Sequence, residues 1–142
     1  MSENALRGAI LFAVLALPLC AFGDARYYRL GEKHQLFYTR GNCIHRYPEG
    51  DSLYYIKDNC IYRCANDRLI YRLEGDCVVR PRDNRRLYII RDGKVIRCSD
   101  GRTIYRFDGD LVRRIEDGQA VLRRDGQDSL LTFFMVLMLA DM

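Results

Sequence analysis

The chain has 142 residues, 49% of them hydrophobic and 30% charged, with a formal net charge of +4. That length holds one domain with one modest core, and the hydrophobic share excludes a disordered chain. The charge is small and its two signs interleave, which argues for solvated sheet faces more than for a basic arm, so no nucleic-acid partner is expected.

The N-terminus has the layout of an export signal. Arg7 precedes an apolar run from Gly8 to Phe22, and Ala21-Phe22-Gly23 offers small residues at the two positions a signal peptidase reads. Cleavage is expected before Asp24, giving a signal peptide over 1–23 and a single mature domain over 24–142. Such a chain would be periplasmic or secreted, with no transmembrane helix once mature. An uncleaved N-terminal membrane anchor is the alternative. A lipoprotein site at Cys20 is disfavoured by the bulk of Leu19 before it.

From residue 26 to 124 the chain repeats itself every 17 residues. Units begin at Phe37, Tyr54, Tyr71, Tyr88, Tyr105 and Leu122, and a half-unit precedes the first. The eighth position is aliphatic (Ile44, Ile61, Val78, Val95, Val112). The tenth is always arginine: Arg46, Arg63, Arg80, Arg97 and Arg114, with Arg29 in the half-unit. Each unit carries two turn signals, such as Asp58-Asn59 and Asp92-Gly93 in one series and Asp83-Asn84 and Asp100-Gly101 in the other. Asn, Asp and Gly tolerate positive φ, so these pairs between β-branched and aromatic runs predict tight hairpins. The spacing predicts twelve short strands, near 26–30, 35–39, 43–47, 52–56, 60–64, 69–73, 77–81, 86–90, 94–98, 103–107, 111–115 and 120–124.

Alternation predicts that positions one, three and eight face a common interior. The residue before each unit is also apolar (Leu36, Leu53, Ile70, Leu87, Ile104, Val121), which breaks the period of two. Either a bulge or an external apolar band resolves the conflict. Position ten shares the face of position eight, one step nearer the second series of turns. Arg29, Arg46, Arg63, Arg80, Arg97 and Arg114 are therefore expected to ring one mouth of a closed structure. There they would pair with acids such as Glu49, Asp100 and Asp117, or form an anion site for phosphate or a lipid head group.

Catalytic signatures are weak. The chain has two histidines, His34 and His45, and lacks a Gly-x-Ser-x-Gly elbow or a phosphate-binding glycine loop. Beyond Cys20, cysteines 43, 60, 64, 77 and 98 all fall on alternate predicted strands, about 9.5 Å apart at the nearest. That is too far for a disulfide, so free thiols packed as small apolar residues are expected. Cys43 and His45 supply two metal ligands and no third, so no cofactor or metal is predicted.

The last stretch, 129–140, is apolar on every side and predicts a helix capped by Asp128 or Ser129. Eleven apolar residues rise only about 16 Å, short of the roughly 20 residues a bilayer demands, so the helix must be wrapped by protein. Leu130, Leu131, Phe133, Phe134, Val136 and Leu137 are its candidate core residues. An open twelve-stranded sheet would leave two raw edges, whereas closure around a helix removes them and fills a lumen too wide for side chains alone. The predicted fold is thus mainly β: a twelve-stranded antiparallel meander of hairpin repeats closed into a barrel around its C-terminal apolar helix. The helix would enter opposite the arginines, so its C-terminal dipole, Asp141 and the Met142 carboxylate would arrive among them.

The run from Asp128-Ser129-Leu130-Leu131 to Leu139-Ala140-Asp141, with hairpin texture such as that from Gly101 to Gly109, resembles the plan of tubby-like domains, phospholipid scramblases and LURP-one-related proteins. The resemblance spans 26–142 in architecture and implies a barrel on a central helix; it carries over no functional residue. Hairpin-repeat proteins of the YD or β-flower kind share the same texture. The expected function is that of a non-enzymatic exported envelope or binding protein, engaging anionic lipid or polymer through an Arg/Tyr-rich surface. The rival is a structural hairpin-repeat module that docks a protein partner through outer aliphatics and tyrosines.

Overall fold

A computed structural model describes residues 23–30 and 34–141. The proposed signal segment, Cys20 and the Met142 carboxylate lie outside the described residues. Twelve antiparallel strands follow one another: β1 (Ala25–Arg29), β2 (Gln35–Arg40), β3 (Cys43–Arg46), β4 (Ser52–Lys57), β5 (Cys60–Arg63), β6 (Arg68–Glu74), β7 (Cys77–Arg80), β8 (Arg85–Arg91), β9 (Lys94–Arg97), β10 (Arg102–Asp108), β11 (Leu111–Arg114) and β12 (Ala120–Gly126). Each pairs with its neighbour in sequence, and β1 pairs with β12, so the sheet closes into a barrel. The helix α1 (Leu130–Asp141) fills it. Among the described residues no helix is long and apolar enough to cross a membrane.

The turns are built as their residues dictate. Asp58 and Asn59 have φ of 51° and 61°, and Asp92 and Gly93 have 53° and 72°. Two successive positive φ values twist a two-residue loop to match the strands it joins.

The conflict of period is settled by bulges. In the β3–β4 pair, Ile44 faces Tyr54 and His45 faces Ser52, so Leu53 is the extra residue. The same slip isolates Leu36, Ile70, Leu87, Ile104 and Val121. The bulge turns Leu36, Leu53 and Ile104 onto the core, which Val121 joins outright, while Ile70 and Leu87 are half-buried and stand apart from it. The exposed carbonyl of a bulge is satisfied from the next strand: Cys64 N donates to Leu53 O and Cys98 N to Leu87 O, both at 3.0 Å. In the unit containing Ile70 the corresponding residue is Pro81, which has no N–H to give.

The interior is as the alternation predicts. Ile44, Ile61, Val78, Val95 and Val112 are each 0% exposed, as are Phe134, Val136 and Leu137 of the helix. Leu131 and Phe133 are buried with them. Leu130 departs from its expected core role: it is 52% exposed, because the first turn of α1 stands at the mouth before the wall has closed around it. Phe133 packs edge-on to Phe107 at 5.0 Å and tilted against Tyr27 at 5.6 Å. Replacing Phe133 by alanine should cost about 3–5 kcal/mol in denaturant unfolding, the range for emptying an aromatic site in a packed core.

Candidate functional site

The two mouths of the barrel are chemically distinct. At the entry mouth the repeat breaks its own rule. Position three is Ile56, Leu73, Ile90 or Phe107 in four units, but Thr39 in the first and Arg124 in the last. Position eight is a small aliphatic everywhere except in the half-unit, where it is Tyr27. These three exceptions sit on β2, β12 and β1, the strands that meet where the barrel closes. They converge on Asp128, whose side chain is 1% exposed. Tyr27 Oη and Thr39 Oγ1 both donate to Asp128 Oδ2, the latter at 2.9 Å. Arg124 Nη1 donates to Asp128 Oδ1 at 3.0 Å, and its guanidinium lies 4.3 Å above the Phe133 ring. Ala25 N in turn donates to Thr39 Oγ1 at 3.1 Å. Burial, then the adjoining carboxylate, push the Tyr27 phenol far above its ordinary pKa, so it stays a donor. Ser129 completes the junction, its Oγ accepting from Thr132 N at 3.1 Å as the helix N-cap. The clasp was not foreseen; three departures from the repeat were its signal.

At the opposite mouth four of the position-ten arginines lie directly across from the aromatic of position one, Phe37 with Arg46, Tyr54 with Arg63, Tyr88 with Arg97 and Tyr105 with Arg114, while Arg29 lies across from Leu122. The end of the helix arrives on one side of this ring. Arg114 Nη2 pairs with Asp141 Oδ1 at 2.9 Å, Tyr105 Oη donates to Asp141 Oδ2, and Arg29 Nη2 donates to Ala140 O at 3.1 Å. Arg114 and Tyr105 are both held well above their ordinary values, Arg114 chiefly by its bond to Asp141 and Tyr105 by burial and then by Asp141.

Three of the six arginines also bind the acid three residues on: Arg80 with Asp83, Arg97 with Asp100 and Arg114 with Asp117, each at 2.7 Å. The turn explains the pairing. Asp83, Asp100 and Asp117 accept a backbone N–H from two residues ahead, at 3.3, 3.2 and 3.0 Å, and this local bond aims the carboxylate back at the arginine. Glu49 was expected to do the same for Arg46 and does not; one methylene longer, it makes no such turn bond. Asn66 holds the turn geometry, accepting from Arg68 N at 3.1 Å, but brings no charge to Arg63. Arg46 and Arg63 are consequently exposed and have no side-chain partner among the described residues. Beside them the hydroxyls of Tyr54 and Tyr71 are likewise unbonded among the described residues. Tyr71 is pushed upward by burial first and then by the neighbouring phenols of Tyr88 and Tyr54, so it too presents a proton.

The predicted ring thus divides. One arc, from Arg80 through Arg97 and Arg114 to Arg29, is bound by turn acids and the helix end. The other, over β3 to β6, offers two guanidiniums and two phenols to solvent. The five described cysteines are free and half-buried, spread as the strand register requires. Among the described residues no group of three or more His, Cys, Asp or Glu is placed to hold a metal ion. No family model, curated protein or solved structure matches the chain.

Two outcomes follow from these contacts. Asp128→Asn removes the buried charge of the clasp and leaves Arg124 only its exposed partner Asp110, at 3.1 Å, so it should destabilise the barrel by about 1–3 kcal/mol in chemical unfolding, the cost of weakening a buried charge-assisted bond. Asp83 and Asp100 are lowered to about 2 by their arginines. Their stabilisation is complete above the unfolded carboxylate value near 4 and is lost as pH falls towards 2. Thermal melting followed by circular dichroism should therefore hold level down to about pH 4 and drop below it, and Asp100→Asn should flatten that drop.

Proposed function

We propose that this chain is a non-enzymatic binding protein, exported to the periplasm or beyond, that holds an anionic ligand on the open half of its arginine mouth. The observation that carries the reading is the contrast within one ring: among the described residues no acid pairs with Arg46 or Arg63, whereas Arg80, Arg97 and Arg114 each hold one. A guanidinium left without a partner beside phenolic donors suits the oxygens of a phosphate or carboxylate. A lipid head group or an envelope polymer supplies that chemistry. The resemblance of the sequence plan to tubby-like and scramblase proteins adds no ligand to this reading. The rival reading, a module docking a protein partner through outer aliphatics, draws less support, since the bulges bring Leu36, Leu53 and Ile104 against the core.

The full chain should sediment with vesicles containing phosphatidylglycerol and not with phosphatidylcholine alone, and salt should weaken the association. At about 1 kcal/mol per arginine near an anionic surface, the double variant R46Q/R63Q should bind roughly thirtyfold more weakly. Binding indifferent to salt and to both substitutions would sink the proposal, and capture of a soluble anionic polymer in place of vesicles would assign the ligand to the polymer.

A further inference from the structure

The open arc of the arginine mouth contains a pair whose occupied counterpart stands elsewhere in the same ring. Tyr105 and Arg114 face each other directly across β10 and β11, and Tyr54 and Arg63 do the same across β4 and β5. At the first pair three carboxylate oxygens are held. Arg114 Nη1 donates to Asp117 Oδ2 at 2.7 Å, Arg114 Nη2 to Asp141 Oδ1 at 2.9 Å, and Tyr105 Oη to Asp141 Oδ2. One carboxylate comes from the turn and the other from the helix tip. Among the described residues neither has an equivalent at Arg63. Asn66 stands where the turn acid would, its Oδ1 accepting from Arg68 N at 3.1 Å, and Asp141 is committed to Arg114 and Tyr105. Asp67, the next residue of that turn, accepts from Tyr55 Oη at 3.0 Å and pairs with no arginine among the described residues.

The neighbouring strand adds a second unpaired cation. Arg63 lies directly across from Arg68, as Arg80 does from Arg85 and Arg97 from Arg102. In the last two hairpins the turn acid bonds to the side chain of one arginine and the backbone N–H of the other, which sets a negative charge beside like charges that repel. No acid pairs with Arg63 or Arg68 among the described residues. Other arginines of the ring lack part of this set: Arg46 faces Phe37, which has no hydroxyl, and Arg97 faces Tyr88 but keeps Asp100. What Arg114 and Tyr105 hold amounts to three oxygens and two negative charges. A carboxylate or a phosphodiester offers two free oxygens and one charge. A phosphate monoester offers three, with nearly two charges above its second pKa of about 6. Building on the anion-binding reading of this mouth, we propose that Arg63, Tyr54 and Arg68 form a site for a terminal phosphate group. Two of its oxygens lie on the Arg63 guanidinium and the third accepts from Tyr54 Oη, with Arg68 facing the same group from β6.

The full chain is titrated at about pH 8 with methyl phosphate, dimethyl phosphate and acetate, by calorimetry at constant ionic strength. It is also sedimented with phosphatidic acid and with phosphatidylglycerol vesicles of matched surface potential. Methyl phosphate should bind roughly tenfold more tightly than dimethyl phosphate or acetate. A matching preference for phosphatidic acid vesicles assigns the phosphate to a lipid head group, and equal binding of the two vesicles assigns it to a soluble monoester. Asn66→Asp places a carboxylate on Arg63 in a turn whose form Asp83 and Asp100 already use, and it should weaken methyl phosphate roughly tenfold or more. Tyr54→Phe should cost roughly fivefold, the loss of one hydrogen bond to a charged group. The proposal is overturned if methyl phosphate does not bind, if dimethyl phosphate binds as well, or if Asn66→Asp binds methyl phosphate like the parent. Salt-sensitive binding of phosphatidylglycerol vesicles that persists beside such a result overturns the phosphate assignment alone and leaves the broader anion reading standing.

Discussion

A helix without a polar face has no stable place in water, and this one is too short for lipid. The cost of exposing Phe133, Phe134, Met135, Val136 and Leu137 is what makes a closed wall preferable to a flat sheet. Closure also removes the two edges that twelve paired strands would otherwise leave. Helix and wall are therefore one constraint seen from two sides: the rod needs a sleeve, and a sleeve of this width needs a rod.

The junctions between them are where polar residues enter. Asp128 is almost wholly buried, yet it is not a liability, because a phenol, a hydroxyl and a guanidinium all reach it. Each comes from a different one of the three strands at the seam. The same carboxylate thus secures the closure of the sheet and the point where the helix begins. At the far end Asp141 does comparable work on two strands, through Tyr105 and Arg114. The helix is pinned at both tips while its middle makes only apolar contacts.

Most of this architecture was legible because the repeat is so regular. A seventeen-residue period with turn residues at fixed offsets leaves few ways to fold, and the all-apolar tail names its own destination. The ring of arginines followed from parity alone. What escaped were features that depend on a single residue departing from the pattern. The difference between Asp83, Asn66 and Glu49 is small in composition, yet it decides whether the arginine three places back is neutralised. Thr39, Arg124 and Tyr27 look like noise in the repeat until closure brings their strands together. The choice between bulge and outer band was likewise open, since both satisfy the same string of residues and only pairing separates them. Leu130 shows the limit from the other direction: its apolar character matched the helix, but its place at the mouth left it uncovered.

The seam also bears on the order in which the molecule is made. Every hydrogen-bonded pair of strands joins neighbours in sequence except β1 with β12. Hairpins with two-residue loops form on the microsecond scale from contacts a few residues apart. Tyr27 and Asp128, by contrast, must meet across 101 residues. Closing so long a loop carries the largest entropic penalty in the chain, and it is offset only once the wall already holds the two ends near one another. Assembly of the ribbon therefore comes early and the locking of the clasp comes last, which makes the first and final strands the natural place for the structure to come apart again.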